Sequence, residues 1–317
     1  MKILVTGSSG HLGEALVRNL RKEKKDVMGI DILPSSFTDI VGSITDRNFV
    51  QQCMKGITHV LHVATLHKPH VSSHNEQQFI DTNITGTLNL LEESAKNDIR
   101  SFIFTSTTST FGDALTAGPD EPAAWITEEV VPIPKNIYGV TKTAAEDLCQ
   151  LFHRNHKLPC LILKTSRFFP EEDDDGQIAT TYSDSNTKAN EYLYRRVDTE
   201  DVVNAHLLAM EKAASIGFAK YIISATSPFE KKHLAALKKD AHQVVKTLYP
   251  DFESLYAGLG WKMFPTIGRV YVNEKARKEL GWKPKYDFRY VLDRLKAGED
   301  FKSELADAIG SKGYHRK

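Results

Sequence analysis

Tyr138 and Lys142 stand four residues apart in Asn136-Ile137-Tyr138-Gly139-Val140-Thr141-Lys142. Positions i and i+4 share one helix face, so a phenol and an ammonium here point into the same space. At an effective dielectric of about 20 and roughly 6 Å, the ammonium favours phenolate by on the order of 3 kcal/mol. That is about two pKa units, enough to bring the phenol towards a useful general base near neutral pH. Upstream, Phe102-Ile103-Phe104 runs into the hydroxyls Thr105, Ser106, Thr107, Thr108, Ser109 and Thr110 before Gly112. A hydroxyl leaving a strand end can donate to a carbinol or carbonyl oxygen and polarise it for hydride transfer. The same run of hydroxyls is also ordinary turn and capping chemistry.

These groups need a scaffold and a redox partner, and the first thirty residues supply the outline of both. Ile3-Leu4-Val5 is a buried-strand run, followed by Thr6-Gly7-Ser8-Ser9-Gly10-His11-Leu12-Gly13. Leu16, Val17 and Leu20 then recur at helical spacing, and Val27-Met28-Gly29-Ile30 closes on Asp31. Strand, glycine turn, helix, strand and acid make a βαβ unit for a dinucleotide. Gly7 permits the tight turn, Gly10 lets backbone approach a pyrophosphate, and Gly13 brings helix and sheet together. The helix N-terminus offers free N–H groups to the phosphates. Asp31 can accept both adenosine-ribose hydroxyls and would repel a 2′-phosphate. Neither Ile32 nor Leu33 supplies a cation for such a phosphate, so NAD is expected rather than NADP.

The alternation continues along the chain. Strands are expected at 59–64, 101–106 and 160–164, and helices at 79–96 and 136–155. After Arg167 a polar stretch intervenes, then a helix over 198–213 and the strand Tyr221-Ile222-Ile223-Ser224. Further helices are expected around 233–248, 273–280 and 288–297. Strands alternating with helices imply a parallel sheet covered on both faces, with ligands at the carboxyl ends of its strands. The fold class is therefore α/β, a Rossmann-type doubly wound parallel sheet with a smaller C-terminal α/β substrate lobe. The NAD-binding domain is assigned to 1–166 and 198–226, and the substrate lobe to 167–197 and 227–317.

Thr6-Gly7-x-x-Gly10-x-x-Gly13 resembles the turn of the short-chain dehydrogenase/reductase superfamily, and Tyr138-x-x-x-Lys142 resembles its catalytic pair. The segment Ser106 to Gly112 is similar to the Ser-Ser-Ser-x-x-Val-Tyr-Gly signature of the extended, nucleotide-sugar epimerase-like branch. Leu61-His62-Val63-Ala64-Thr65, Asn83-Ile84-Thr85-Gly86-Thr87 and Leu280-Gly281-Trp282-Lys283-Pro284 also resemble that branch. The likeness covers residues 1 to about 295. Counting back from Gly112, it implies Thr107 as the catalytic hydroxyl beside Tyr138 and Lys142, with Lys142 also holding the nicotinamide ribose. It implies cofactor contacts at Gly7, Gly10, His11, Leu12, Gly13, Asp31, Ile32, Ser43, Ile44, Val63, Ala64, Thr65, Asn83 and Phe168. In Gly42-Ser43-Ile44-Thr45-Asp46, the adenine loop, Ser43 stands where an acid is usual. Thr107, Thr108, Phe169, Arg195 and Arg196 are the expected substrate contacts, the two arginines reading either as a diphosphate clamp or as surface or interdomain arginines.

The reaction expected from this resemblance is hydride transfer at a carbinol carbon of a sugar or nucleotide sugar, by an enzyme similar to UDP-glucose 4-epimerase. The Asp-Glu pair that sugar 4,6-dehydratases carry after the catalytic Thr is replaced here by Thr108 and Ser109, so elimination lacks its acid and base. Pro170 stands where UDP-sugar epimerases usually have an Asn. A dehydrogenase or reductase of a non-nucleotide sugar, uronate or hydroxyacid is therefore the alternative. A non-catalytic NAD-binding regulator is opposed by the intact Thr107, Tyr138 and Lys142. The resemblance further implies a homodimer through the helices at 79–96 and 137–154.

Bulk properties fit a soluble enzyme. Lys+Arg and Asp+Glu are each 41, giving a formal net charge of zero, which argues against nucleic acid or an anionic membrane as partner. Cys53, Cys149 and Cys160 have no paired spacing and read as reduced thiols. No signal peptide and no membrane-spanning apolar run is seen, so the cytoplasm is expected. His67, His70 and His74 are not read as a metal site, because Pro69 breaks helical ligand geometry and no Cys or carboxylate accompanies them. No metal is expected. Glu171 to Asp175 reads as a solvated acidic loop, and Lys231, Lys232, Lys238 and Lys239 as the wet face of a helix.

Overall fold

The computed structural model describes residues 1–116, 118, 121–172 and 176–313. The first half of the chain runs β1 (Lys2–Thr6), α1 (His11–Lys22), β2 (Asp26–Asp31), β3 (Ile40–Val41), α2 (Arg47–Cys53), β4 (His59–His62), α3 (Glu76–Phe79), α4 (Gly86–Lys96), β5 (Ser101–Thr107), β6 (Ala124–Ile126) and α5 (Ile137–His156). The second half runs β7 (Cys160–Thr165), α6 (Gly176–Thr181), α7 (Asp184–Glu191), α8 (Thr199–Ile216), β8 (Phe218–Ile223), α9 (Leu234–Lys239), α10 (Ala241–Leu248), α11 (Phe252–Leu259), β9 (Arg269–Tyr271), α12 (Glu274–Glu279), α13 (Phe288–Lys296) and α14 (Glu304–Ile309).

Seven strands form one parallel sheet in the order β3-β2-β1-β4-β5-β7-β8. Strands buried on both faces must be apolar throughout, and Ile3, Leu4, Val5, Phe102, Ile103 and Phe104 are all 0% exposed. Helices α1 and α8 cover one face, where Leu16, Val203, Tyr221 and Trp282 share a core. Helices α2, α4 and α5 cover the other, around Leu90, Phe102, Cys149 and Cys160. Strand order reverses between β1 and β4, and the crevice at this switch point is where a Rossmann sheet seats its ligand.

A second core gathers Tyr192, Phe252, Tyr256, Val245 and Phe288 from the later helices. The short parallel pair β6–β9 aligns Ala124 with Arg269 and Ile126 with Tyr271; Trp125 and Val270 join this core, while Ala124, Ile126 and Tyr271 cluster with Phe111 and Ile222. Two elements differ from the sequence expectation for local reasons. The helix over 79–96 contains a π-helical stretch at Ile80–Thr85, which carries Asn83 into a bonding position described below. The helix over 233–248 breaks at Asp240 (φ −155°, ψ 82°), whose carboxylate instead caps α10 by accepting from Gln243 N at 3.0 Å. Cys53, Cys149 and Cys160 are free and buried. Among the described residues no helix is long and apolar enough to cross a membrane.

Candidate active site

The glycine turn after β1 is fixed by contacts that admit no side chain. Gly7 has φ +73°, and a Cβ there would lie 2.8 Å from Ala64 backbone; a Cβ on Gly13 would lie 1.9 Å from the Gly7 carbonyl. Gly10 caps α1 without a side-chain hydrogen bond, which leaves the first-turn N–H groups to face outward. A cavity of about 300 Å³ opens there, and Gly7, Gly10, His11, Leu12, Asp31, Ile32, Ser43, Ile44, Val63, Ala64, Thr65 and Phe168 line it. Asp31 is held in place by accepting from Ser9 N at 3.0 Å and Leu33 N at 2.9 Å. A carboxylate has about four acceptor sites, so capacity remains for a ribose diol. The donor-rich helix end, the tight glycine approach and this acid fit an NAD molecule.

Three expected cofactor residues, Gly13, Asn83 and Lys142, line neither this cavity nor its neighbour; Lys142 is described below. Gly13 packs α1 onto the turn, as above. Asn83 is 2% exposed and buttresses the loop after β4, its Oδ1 accepting from Thr65 Oγ1 (2.9 Å) and Leu66 N (2.8 Å). Its Nδ2 donates to Leu66 O at 2.9 Å and to Thr141 Oγ1 at 3.0 Å, tying this loop to the catalytic helix.

A second cavity of about 540 Å³ lies beside the first, and Thr107, Thr108, Tyr138, Phe168, Phe169 and Arg195 are among its walls. His67, Tyr138, Thr165, Phe168 and Phe169 line both spaces. Parallel pairing sets Thr107 beside Thr165 at the strand ends. Thr107 and Tyr138 both line this cavity, and Thr107 Oγ1 accepts from Ser109 N at 3.1 Å. Ser106, next to Thr107, commits its hydroxyl elsewhere, donating to the buried Glu146 carboxylate at 2.5 Å.

The electrostatics depart from the expectation that Lys142 pulls the Tyr138 pKa down. Burial pushes the phenol up to about 12, against which the nearby Thr107 hydroxyl acts only in part. Burial likewise brings Lys142 down to about 7, with Glu146 opposing. Lys142 is 2% exposed; its Nζ donates to Thr105 O at 2.6 Å and sits 3.9 Å from the Phe104 ring centre. Desolvation of both groups outweighs their mutual field because neither the phenolate nor the ammonium has water to stabilise it.

The arginines also differ from expectation. Arg196 is 5% exposed and faces inward, donating to Glu191 Oε2 at 2.7 Å and to Phe169 O at 2.6 Å. Arg195 does line the cavity, with its Nη2 2.7 Å from Glu191 Oε1. The fully buried Glu191 also takes Arg167 at 3.3 Å, and Arg167 lines the substrate cavity. The Glu191–Arg195 spacing of i,i+4 was a readable signal for this hub. Glu171 is not part of a solvated loop: its side chain is 5% exposed and its Oε1 lies 2.9 Å from His11 Nε2. Residues 173–175 of that acidic run lie outside the described residues. Glu146, four residues beyond Lys142, pairs with Lys164 at 2.6 Å and Lys220 at 3.0 Å beneath the site. The helix spacing from Lys142 pointed to it, but the partners on β7 and β8 are not local in sequence.

The family model for the NAD dependent epimerase/dehydratase family matches residues 3–223. An uncharacterized protein of Sinorhizobium fredii, y4nG, is 34% identical over 153 residues, 46% of this chain and 36% of that protein. The match thus spans about a third of that relative's length. UDP-glucose 4-epimerase of Lactobacillus helveticus is 24% identical over 328 residues, covering 90% of this chain and 93% of the relative. A crystal structure of a short-chain dehydrogenase/reductase superfamily protein from Agrobacterium tumefaciens with bound NAD superposes with a TM-score of 0.66 at 22% identity, over 94% of this chain and 96% of the other. At that identity the likeness speaks for the fold.

Proposed function

The chain belongs to the NAD-dependent epimerase/dehydratase family, of the extended short-chain dehydrogenase/reductase type, and on that premise we propose that it epimerises a nucleotide-linked sugar at a carbinol carbon. The observation that carries this reading is the shared wall between the two cavities, in which Tyr138 faces both and Thr107 lines the larger one beside it. NAD, when bound, would supply the acceptor and later the donor of the hydride.

Thr107 donates a hydrogen bond to the carbinol oxygen, and Tyr138 removes that oxygen's proton and later returns it. Lys142 sits behind the phenol tied to Thr105 O, and would have to turn from that bond to reach the nicotinamide ribose. Asp31 holds the adenosine ribose, the α1 N-terminus the pyrophosphate, and Phe168 with Phe169 close the seam where sugar and cofactor meet. Arg195 and Arg167, fixed by Glu191, face the negative charge of a diphosphate. The division into an NAD-binding domain (1–166, 198–226) and a substrate lobe (167–197, 227–317) belongs to this proposal, as do action in the cytoplasm and a homodimeric state.

The inward commitment of Arg196 favours a second reading, a dehydrogenase or reductase of a smaller sugar, uronate or hydroxyacid, since one arm of the expected diphosphate clamp is withdrawn. Incubation with UDP-glucose and no added NAD separates the two. Appearance of UDP-galactose by NMR supports the epimerase. If UDP-glucose and UDP-galactose both stay unchanged while uronates reduce added NAD, the second reading stands.

A further inference from the structure

Glu171 makes contacts that the proposed redox chemistry does not use. His11 belongs to the glycine turn and lines the cofactor cavity; its Nε2 lies 2.9 Å from Glu171 Oε1, with side-chain exposures of 2% and 5%. Phe169, two residues before Glu171, packs its ring 5.5 Å from that of His11. The same carboxylate oxygen accepts from Lys312 N at 2.9 Å and Ser311 Oγ at 3.1 Å, and the Lys312 ammonium pairs with Glu14 on α1. Burial would raise the Glu171 pKa, but the His11 ring beside it and the Lys312 N–H bring it down to about 2. The carboxylate is therefore ionised at every working pH.

The rest of this short loop is equally tied down. Arg196 holds Phe169 O at 2.6 Å, and Lys188 Nζ holds Pro170 O at 2.5 Å. Residues 168–171 thus form a roof, fastened on one side to α7 and the chain that follows it, and on the other to the glycine turn. Phe168 and Phe169 are the part of the roof that faces the cofactor cavity. His11, Phe168 and Phe169 line that one cavity together, so a dinucleotide bound there would meet both the roof and the turn it is fastened to.

We propose that Glu171 is a positioning residue that clasps the roof to His11 and sets how long NAD stays bound, with the segment Ser311–Lys312 as a strap over the clasp. The proposal rests on the NAD reading of the cavity. Parting a buried pair exposes an uncompensated charge and acts mainly on dissociation rates. The clasp therefore works as retention, which an enzyme that returns its hydride to the same substrate needs.

The test loads the full-length protein with isotopically labelled NAD, chases with excess unlabelled NAD, and follows release. Glu171→Ala should release NAD at least about tenfold faster, and Glu171→Asp should restore part of the retention. A chain ending after Gly310 keeps the Glu171–His11 pair and should show a smaller acceleration in the same direction; it also serves if Glu171→Ala does not fold. Unchanged release in both variants overturns the clasp and leaves the NAD reading intact. A parent protein that binds no NAD overturns both.

Discussion

Tyr138 and Lys142 share a helix face, as their spacing requires, yet burial governs both of them more than their mutual field does. Removing the phenolic oxygen with Tyr138→Phe should lower turnover by about 10²–10⁴-fold, the usual range for a lost general acid–base. NAD binding should persist, because the ring and its packing remain; titration of NAD into the variant checks this. Lys142 allows a second prediction, read without any substrate. In the folded chain its pKa is brought down to about 7, whereas in the unfolded chain it stays near about 10.4. Between these values the unfolded chain holds more protons, so this residue makes stability rise with pH across that window. Lys142→Met should flatten that rise and gain most, relative to the parent, below pH about 7. Urea melts of the NAD-free protein at a series of pH values measure the slope, and parallel curves for parent and variant would refute the account.

The elements explain why some of the site was readable in the sequence and some was not. The βαβ unit, the hydroxyl run and the Tyr-Lys pair are local patterns, and each falls where periodicity put it: β1, α1 and β2 deliver Gly7, Gly10 and Asp31 to one cavity. Gly13 follows from the same logic. Its missing Cβ would sit 1.9 Å from the Gly7 carbonyl, so Gly13→Ala must push α1 off the turn. We expect a large loss of stability together with loss of NAD binding, seen by thermal melts with and without NAD. Equal midpoints for variant and parent would contradict the close packing. What could not be read are partnerships between distant segments. Glu171 meets His11 and Lys312, and Glu146 meets Lys164 and Lys220. Composition cannot distinguish those acids from solvated ones, because only the tertiary fold brings the cations to them. Arg196 misled for the same reason: a clamp and a structural tie have one sequence signature, and the buried Glu191 decides between them. The β6–β9 pair has strands of only three residues each, too short for alternation to register.

At the scale of the molecule, a net charge of zero conceals an uneven distribution. The substrate cavity brings Lys68, Lys135, Arg195, Lys238 and Arg269 to its walls with Glu171 and Glu172 as its acids, and Glu171 is committed to His11. An anionic substrate suits that wall. Ile80, ahead of α4, and Val140 and Leu151 on α5 are 37%, 49% and 38% exposed, and the proposed homodimer would cover them. Light scattering should give a mass of twice 35.6 kDa, and a single-chain mass would remove the dimer from the account. The central claim is an epimerase whose NAD stays through turnover, and its most direct test is to purify the protein without added cofactor, denature it and assay what is released. The account predicts close to one NAD per chain and little NADP. A site that comes away empty, or that holds NADP, would contradict it.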